Sequence, residues 1–258
     1  MMDWQVYLNG LVAMLLFASL GWLFSLYRNN VTHVDSMWSL FFWVAAGAYV
    51  CGLDSINIRG SLMLALLTIW ALRLCVYLTW RNWGPHEDHR YVQIRTNNEP
   101  NFKLKSLYII FGLQAVLAWV ISLPILGALN SDNALNLLDL IAVLLVLFGI
   151  AWETLADWQL ARFKQNPNNK GKVLNQGVWR YSRHPNYFGE SCVWWGFYLL
   201  ALAAGAWWAF PSALLMTLLL LKVSGVTLLE KDIAERRPEY ALYIQTTNAF
   251  IPGKPKAK

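Results

Sequence analysis

The stretch Ser61–Trp80, SLMLALLTIWALRLCVYLTW, decides the fold. Its twenty residues carry a single charge, Arg73, and about 20 apolar residues is the length at which a helix crosses the hydrocarbon layer of a bilayer. Working outward, comparable runs cover about Gln5–Tyr27, Val34–Leu53, Ser106–Leu129, Leu137–Leu160, Tyr187–Ala204 and Trp207–Gly225. The composition agrees. The chain of 258 residues is 57% hydrophobic and 14% charged, with a mean hydropathy of +0.37, whereas soluble domains carry roughly 25% charged residues. One soluble core of this size cannot enclose so much apolar surface. Strand signals are almost absent, and there is no long linker or internal repeat. The expectation is an all-α polytopic membrane protein with seven transmembrane helices, forming a single domain over residues 1–258.

The charges set the expected orientation. Nineteen of the 21 Lys and Arg residues follow the first run or lie in the loops after the third and fifth runs and in the C-terminal end from Lys222 onward. Arg59 alone is on the other side, and Arg73 is inside a run. The positive-inside rule puts the basic side in the cytoplasm. Seven spans then place the N-terminus outside and the C-terminus inside. The first run has Asp3 ahead of it rather than a basic flank, and no small-residue cleavage site behind it, so it reads as a span and not as a removable leader. The last two runs meet at Ala204–Gly205, which predicts a tight hairpin.

The three cysteines, Cys51, Cys75 and Cys192, are isolated in or beside apolar runs, and no Cys/His spacing predicts a metal site. More telling are ionisable residues inside apolar runs, which are costly unless they face a partner or a cavity. Asp35, Arg73, Glu153, Asp157 and Glu190 all fall toward the basic ends of their runs. Glu153 and Asp157, spaced i and i+4, share a helix face. The densest segment is Arg180-Tyr-Ser-Arg-His-Pro-Asn-Tyr-Phe-Gly-Glu190. Pro185 suits the first turn of a helix, the free amides there favour an anion, and arginine grips phosphate through paired hydrogen bonds. Asn186 and Glu190, one turn apart, suit a ribose or a base edge. Together these features predict a seat for a nucleotide-type cofactor.

Arg183-His-Pro-Asn-Tyr-Phe-Gly-Glu190 resembles the signature of the membrane-embedded steroid 5-alpha-reductases and their bacterial relatives. In looser form the block occurs in sterol C14 reductases and isoprenylcysteine carboxyl methyltransferases. Val34-Asp-Ser-Met-Trp38 and Glu87-Asp-His-Arg-Tyr91 resemble two further elements of the bacterial members. Gly225-Val-x-Leu-Leu-Glu230, Arg237-Pro-x-Tyr240-x-x-Tyr243 and Phe250-Ile-Pro252 resemble their closing segment. The matches run from about residue 31 to 252.

The resemblance implies a seven-helix fold in which helices one to four, over about 1–130, form the substrate side. NADPH would be held by the cytoplasmic ends of helices over about 137–258. It implies NADPH-dependent reduction of the delta-4 double bond of 3-oxo-steroids or related enone lipids. Cations expected to serve the cofactor phosphates are Arg81, Arg162, Lys164, Lys172, Arg180 and Arg183, with His184 and Tyr187 beside them. Asp157, Asn186 and Glu190 match family cofactor residues, and Glu230, Tyr240 and Tyr243 would close over the cofactor.

For catalysis the resemblance implies Asp35, Trp70 and Arg73. Asp35 stands where vertebrate members have Glu, and Trp70 where they have Tyr, with Tyr77 as a reserve donor. Asp35 would act as an acid or hydrogen-bond donor to the ketone oxygen, with Arg73 holding it or the cofactor. The other reading of the shared Arg-His-Pro block is a membrane methyltransferase using S-adenosylmethionine. The expected partners are a lipid-soluble substrate and membrane lipid, with no nucleic acid and no obligate protein partner, and the expected location is the bacterial inner membrane.

Overall fold

The computed structural model describes residues 2–129, 131, 133–223, 226, 230 and 239–256. Among them every regular element is helical. Lys231, Arg236, Arg237 and Lys258 of the basic C-terminal end, and Gly225 and Pro238 of the closing segment, lie outside the described residues. We number the helices α1 (Trp4–Arg28), α2 (Val34–Cys51), α3 (Ile58–Asn82), α4 (His89–Asn98), α5 (Phe102–Ile121), α6 (Leu123–Leu129), α7 (Leu137–Gln165), α8 (Pro185–Ala203), α9 (Trp207–Lys222) and α10 (Glu239–Thr246).

Five of these, α1, α2, α3, α5 and α7, are long and apolar enough to cross a bilayer, which makes this a multi-pass membrane protein. Only 28% of the most apolar window of α1, and the same share of α7, is buried within the protein. The remainder, including Leu16, Leu20 and Leu23 on α1 and Leu140 and Leu144 on α7, is exposed apolar surface suited to lipid. The apolar helix α9 is shorter, and α8, of 19 residues, carries Asn186, Glu190 and Ser191 in its first two turns. Among the described residues, five of the expected seven spans are thus helices that qualify by length and apolarity. The loop expected between the third and fourth spans contains the helix α4, which sequence periodicity did not reveal.

The chain forms two compact units, Met1–Asn136 with Leu200–Ala209, and Leu137–Leu199 with Phe210–Lys258. In the first, α2 packs between α1 and α3, α5 lies against α1 and α2, and α6 against α2 and α3. Helix α1 starts on Asp3, whose carboxylate accepts from the Val6 amide, and ends on Asn29 in the left-handed conformation (φ 49°), a role Asn fills because its short side chain tolerates that region. The expected fourth span breaks at Ser122, just ahead of Pro124, which cannot extend the hydrogen-bond ladder of α5. Ser122 joins a polar knot: its hydroxyl lies 2.6 Å from that of Tyr49, and Tyr7 stacks on Trp119 at 4.3 Å. Arg59 is buried at the start of α3 and donates to Ser131 Oγ, Asn133 O and Ala134 O, so it fixes the loop ahead of α7.

In the second unit α7 and α8 approach closely because small residues line the contact. A Cβ on Gly189 would come within 2.8 Å of the Glu153 backbone, and one on Gly196 within 2.4 Å of Val146. The hairpin expected at Ala204–Gly205 is present. Gly205 has φ +85°, its amide bonds to Leu202 O and the Ala206 amide to Ala201 O, the paired bonds of a Schellman turn.

Gly10 tests this packing. A Cβ there would sit 2.3 Å from the Tyr49 ring, whereas one on Gly47 meets nothing within 4 Å. Gly10→Ala is expected to cost about 1–3 kcal/mol through overpacking and Gly47→Ala almost nothing, read as thermal midpoints in detergent.

Candidate functional site

In the first unit the Val-Asp-x-x-Trp element and the Glu-x-x-Arg-Tyr element build one polar cluster. Asp35 lies in the first turn of α2. Its Oδ1 accepts from the Tyr91 hydroxyl at 2.6 Å, and its Oδ2 from Arg90 Nη2 at 2.7 Å and Asn82 Nδ2 at 3.4 Å. Arg90 is held in turn by Asp88, through Nε at 3.0 Å and Nη2 at 3.1 Å. Asp88 caps α4 by accepting from the Arg90 amide, and its own amide donates to Thr32 Oγ1. One turn along, Arg95 grips Glu87 with two bonds of 2.8 Å and lies 4.3 Å over the Phe102 ring, while Glu87 also accepts from the Val31 amide. These bonds tie the α1–α2 connection to α4.

Burial pushes the Glu87 and Asp88 carboxyls up, but the arginine and backbone hydrogen bonds outweigh it and hold both below their ordinary values. Burial, and then the adjacent Asp35 charge, push the Tyr91 phenol well above its ordinary value, so it keeps its proton.

This geometry gives Asp35 contacts that the sequence did not predict. Asp35 accepts on both oxygens, and Arg90 forms an ion pair with it. Arg73 is half-buried farther back on α3. Trp70 is fully buried and packs against Phe42 at 5.8 Å, as a core residue. The hydroxyl on Asp35 belongs to Tyr91, while Tyr77 lies beside Trp80 with the Arg81 guanidinium 5.8 Å from its ring. Arg90, Asp88 and Asn82 had no assigned role in the sequence reading. The available signal was that Asp35 and Arg90-Tyr91 sit in two separate family-like elements, both next to helix ends.

In the second unit the block Arg180–Glu190 divides into two parts. Its inner part faces α7: Asn186 donates toward Asp157 Oδ1 at 3.4 Å, and Asp157, Glu153 and Glu190 are all buried. The segment after α7 folds back on it, with Trp179 Nε1 donating to Ala156 O and the Val178 amide to Gln159. Arg162, Lys164, Lys172 and Arg180 are exposed on the end of α7 and on this segment, Arg162 lying 5.4 Å from the Trp158 ring. Tyr187 stacks parallel to His184 at 5.6 Å.

The outer part is engaged by the C-terminal segment. Arg183 grips Glu230 with bonds of 2.7 and 2.8 Å, its Nη1 donates to Ile244 O and Thr247 O, and His184 Nε2 lies 2.9 Å from Glu230. Tyr240 donates to Glu230 at 3.3 Å, and Tyr243 to the carbonyls of Trp179 and Ser182. Burial raises the Glu230 carboxyl, but the Arg183 and His184 hydrogen bonds bring it down to about 2. Five residues expected to line the cofactor, Arg183, His184, Glu230, Tyr240 and Tyr243, thus bond to one another and to nearby backbone. Arg81 lies in the first unit, with Nε on Asn82.

Residues 21–247 match the model of the DUF1295 family, described as proteins of unknown function. The chain belongs to that family. An uncharacterised protein of the fission yeast Schizosaccharomyces pombe is 27% identical over 272 residues, covering 94% of this chain and 78% of that protein. No solved structure matches. The family match takes in both polar clusters, from Asp35 and Tyr91 to Arg183 and Glu230.

Two outcomes are expected. Arg90→Ala leaves Asp35 without its cation and should cost about 2–3 kcal/mol in thermal stability, below the ~3–5 of a fully buried pair because the Arg90 side chain is 29% exposed. Glu230 is depressed from an ordinary value of 4.5 to about 2. Its contribution is therefore fully present above pH 4.5 and lost as the pH falls toward 2. The protection factors of residues 239–256, which are corrected for the intrinsic pH dependence of amide exchange, should stay flat from neutral pH to about 5 and fall below that, and Glu230→Gln should remove this acid step.

Proposed function

We propose that this chain is a membrane-embedded, NADPH-dependent reductase of enone lipids, with 3-oxo-delta-4 steroids as the model substrate class. The observation that carries the reading is the composition of the α7–α8 cluster: buried Asp157 and Glu190 with Asn186, beside exposed Arg162, Lys164, Lys172 and Arg180. The donor set fits a phosphorylated dinucleotide. Buried carboxylates repel phosphate and accept from ribose hydroxyls or amides, while the outer cations suit the phosphates. S-adenosylmethionine has no phosphate for those cations to bind.

NADPH, when bound, supplies a hydride to the carbon β to the ketone. Negative charge then grows on the ketone oxygen, and a donor aimed at that oxygen lowers the barrier. In this reading the donor is the Tyr91 phenol, whose single proton, held on Asp35 in the structure, passes to the ketone oxygen when the substrate is bound. Until then the phenol remains protonated and is held by Asp35, whose charge Arg90 offsets. Asp35 orients Tyr91, and Arg90 positions Asp35. The exposed apolar faces of the spans are the route by which a lipid-soluble substrate reaches the first unit.

The same reading takes α8 and α9 as the sixth and seventh spans, with the basic ends cytoplasmic and the N-terminus outside, in a bacterial inner membrane. Cysteines placed at Lys170 and at Asp54 are then expected to label from opposite sides.

The test of function uses the purified chain in detergent. NADPH should raise the melting temperature, S-adenosylmethionine should not, and NADPH absorbance should fall on adding progesterone or testosterone. Stabilisation by S-adenosylmethionine alone would replace this reading with a methyltransferase. Tyr91→Phe should lower turnover by about 10²-fold or more, the scale of a positioned proton donor, with NADPH binding unchanged.

A further inference from the structure

The Arg183 guanidinium has five N–H donors, and four of them are already bonded within the second unit, two to Glu230 and two to the carbonyls of Ile244 and Thr247. The backbone makes the same connection, because the Arg183 amide donates to Asn248 O at 2.9 Å. Neighbouring bonds extend it. Ser182 Oγ donates to Phe250 O at 2.8 Å, the Gly253 amide to Tyr181 O at 3.0 Å, and Phe188 meets the Phe250 ring edge-on at 5.9 Å. Residues 239–256 thus form a strap laid along Tyr181–Phe188, with Arg183 and Glu230 buried where it is fastened. Their side chains are only 8% and 16% exposed.

We infer that Arg183 is a positioning residue: with Glu230 and His184 it latches the C-terminal strap onto the entry of α8, and the strap holds the first turn of α8 in the register that sets Asn186 against Asp157. This role extends the cofactor site proposed above, and it makes Glu230 as necessary to that site as Arg183. Charge supports the assignment. A phosphate approaching Arg183 would meet the Glu230 carboxylate that already occupies the guanidinium fork, and displacing it would leave a carboxylate buried without its cation.

The two roles for Arg183 predict opposite signs at Glu230. If Arg183 were a phosphate ligand, removing the neighbouring negative charge would leave NADPH binding unchanged or tighter. For a latch, Glu230→Gln and Arg183→Gln should act alike. The first arm needs no cofactor. Hydrogen exchange of residues 239–256 in the cofactor-free protein should speed up at least about tenfold in either variant. The double variant should be no faster than the singles, because both remove one interaction. The swap Arg183→Glu with Glu230→Arg should restore part of the protection.

The second arm measures NADPH affinity. Glu230→Gln should weaken it by a factor similar to Arg183→Gln, while Arg180→Gln should weaken it with strap exchange unchanged. Strap exchange within twofold of the parent in Glu230→Gln, or tighter NADPH binding in that variant, would overturn the latch. A parent that binds no NADPH would sink the reductase reading, and the first arm would still decide the latch.

Discussion

A bilayer offers no hydrogen bonds to a polypeptide, so every backbone amide within it must be satisfied by the chain itself. That constraint shapes the rest of this molecule. It selects helices and turns their apolar faces outward, and it collects the charged side chains at helix ends, where they need partners or water. Both polar clusters sit at such ends. Asp35 stands in the first turn of α2, the Arg183–Glu230 pair lies at the entry of α8, and Asp157 lies two turns before the end of α7.

The two clusters solve the same electrostatic problem with different geometry. In the first unit a single carboxylate, Asp35, is shared by a guanidinium and a phenol, and the phenol gives its one proton to that carboxylate. In the second, Glu230 is shared by Arg183, His184 and Tyr240, and the result is a fastening. Outside the fastening lie Asn186 with its buried partner Asp157, buried Glu190, and the exposed cations Arg162, Lys164, Lys172 and Arg180, which form the proposed cofactor site. A signature that reads as one motif therefore has two parts, a brace at Arg183-His184 and an edge at Asn186–Glu190 that faces α7.

Much was legible before any tertiary information. The apolar runs gave α1, α2, α3, α5 and α7, because a helix in lipid must be apolar for its whole crossing. The Ala204–Gly205 junction gave the hairpin, because two apolar runs with no spacer need a residue that tolerates positive φ. Helix α4 was not legible, because its ten residues carry charge and polarity around most of the circumference and periodicity has little to act on. The partner of Asp35 was not legible either. Arg73, on the next helix, and Arg90, in the loop, are equally good cations on paper, and only the fold of the loop chooses between them.

The sequence by itself determined that this chain lives in a membrane as helices, and which polar residues had to find partners, because burying an unpaired charge is costly whatever the fold. Tertiary structure alone decided the pairings: Tyr91 rather than Trp70 beside Asp35, and Glu230 rather than a ligand in the fork of Arg183. Those pairings join residues 47 to 56 positions apart, and the geometry of a guanidinium or a phenol is set by the few ångströms around it, which no local pattern in the chain encodes.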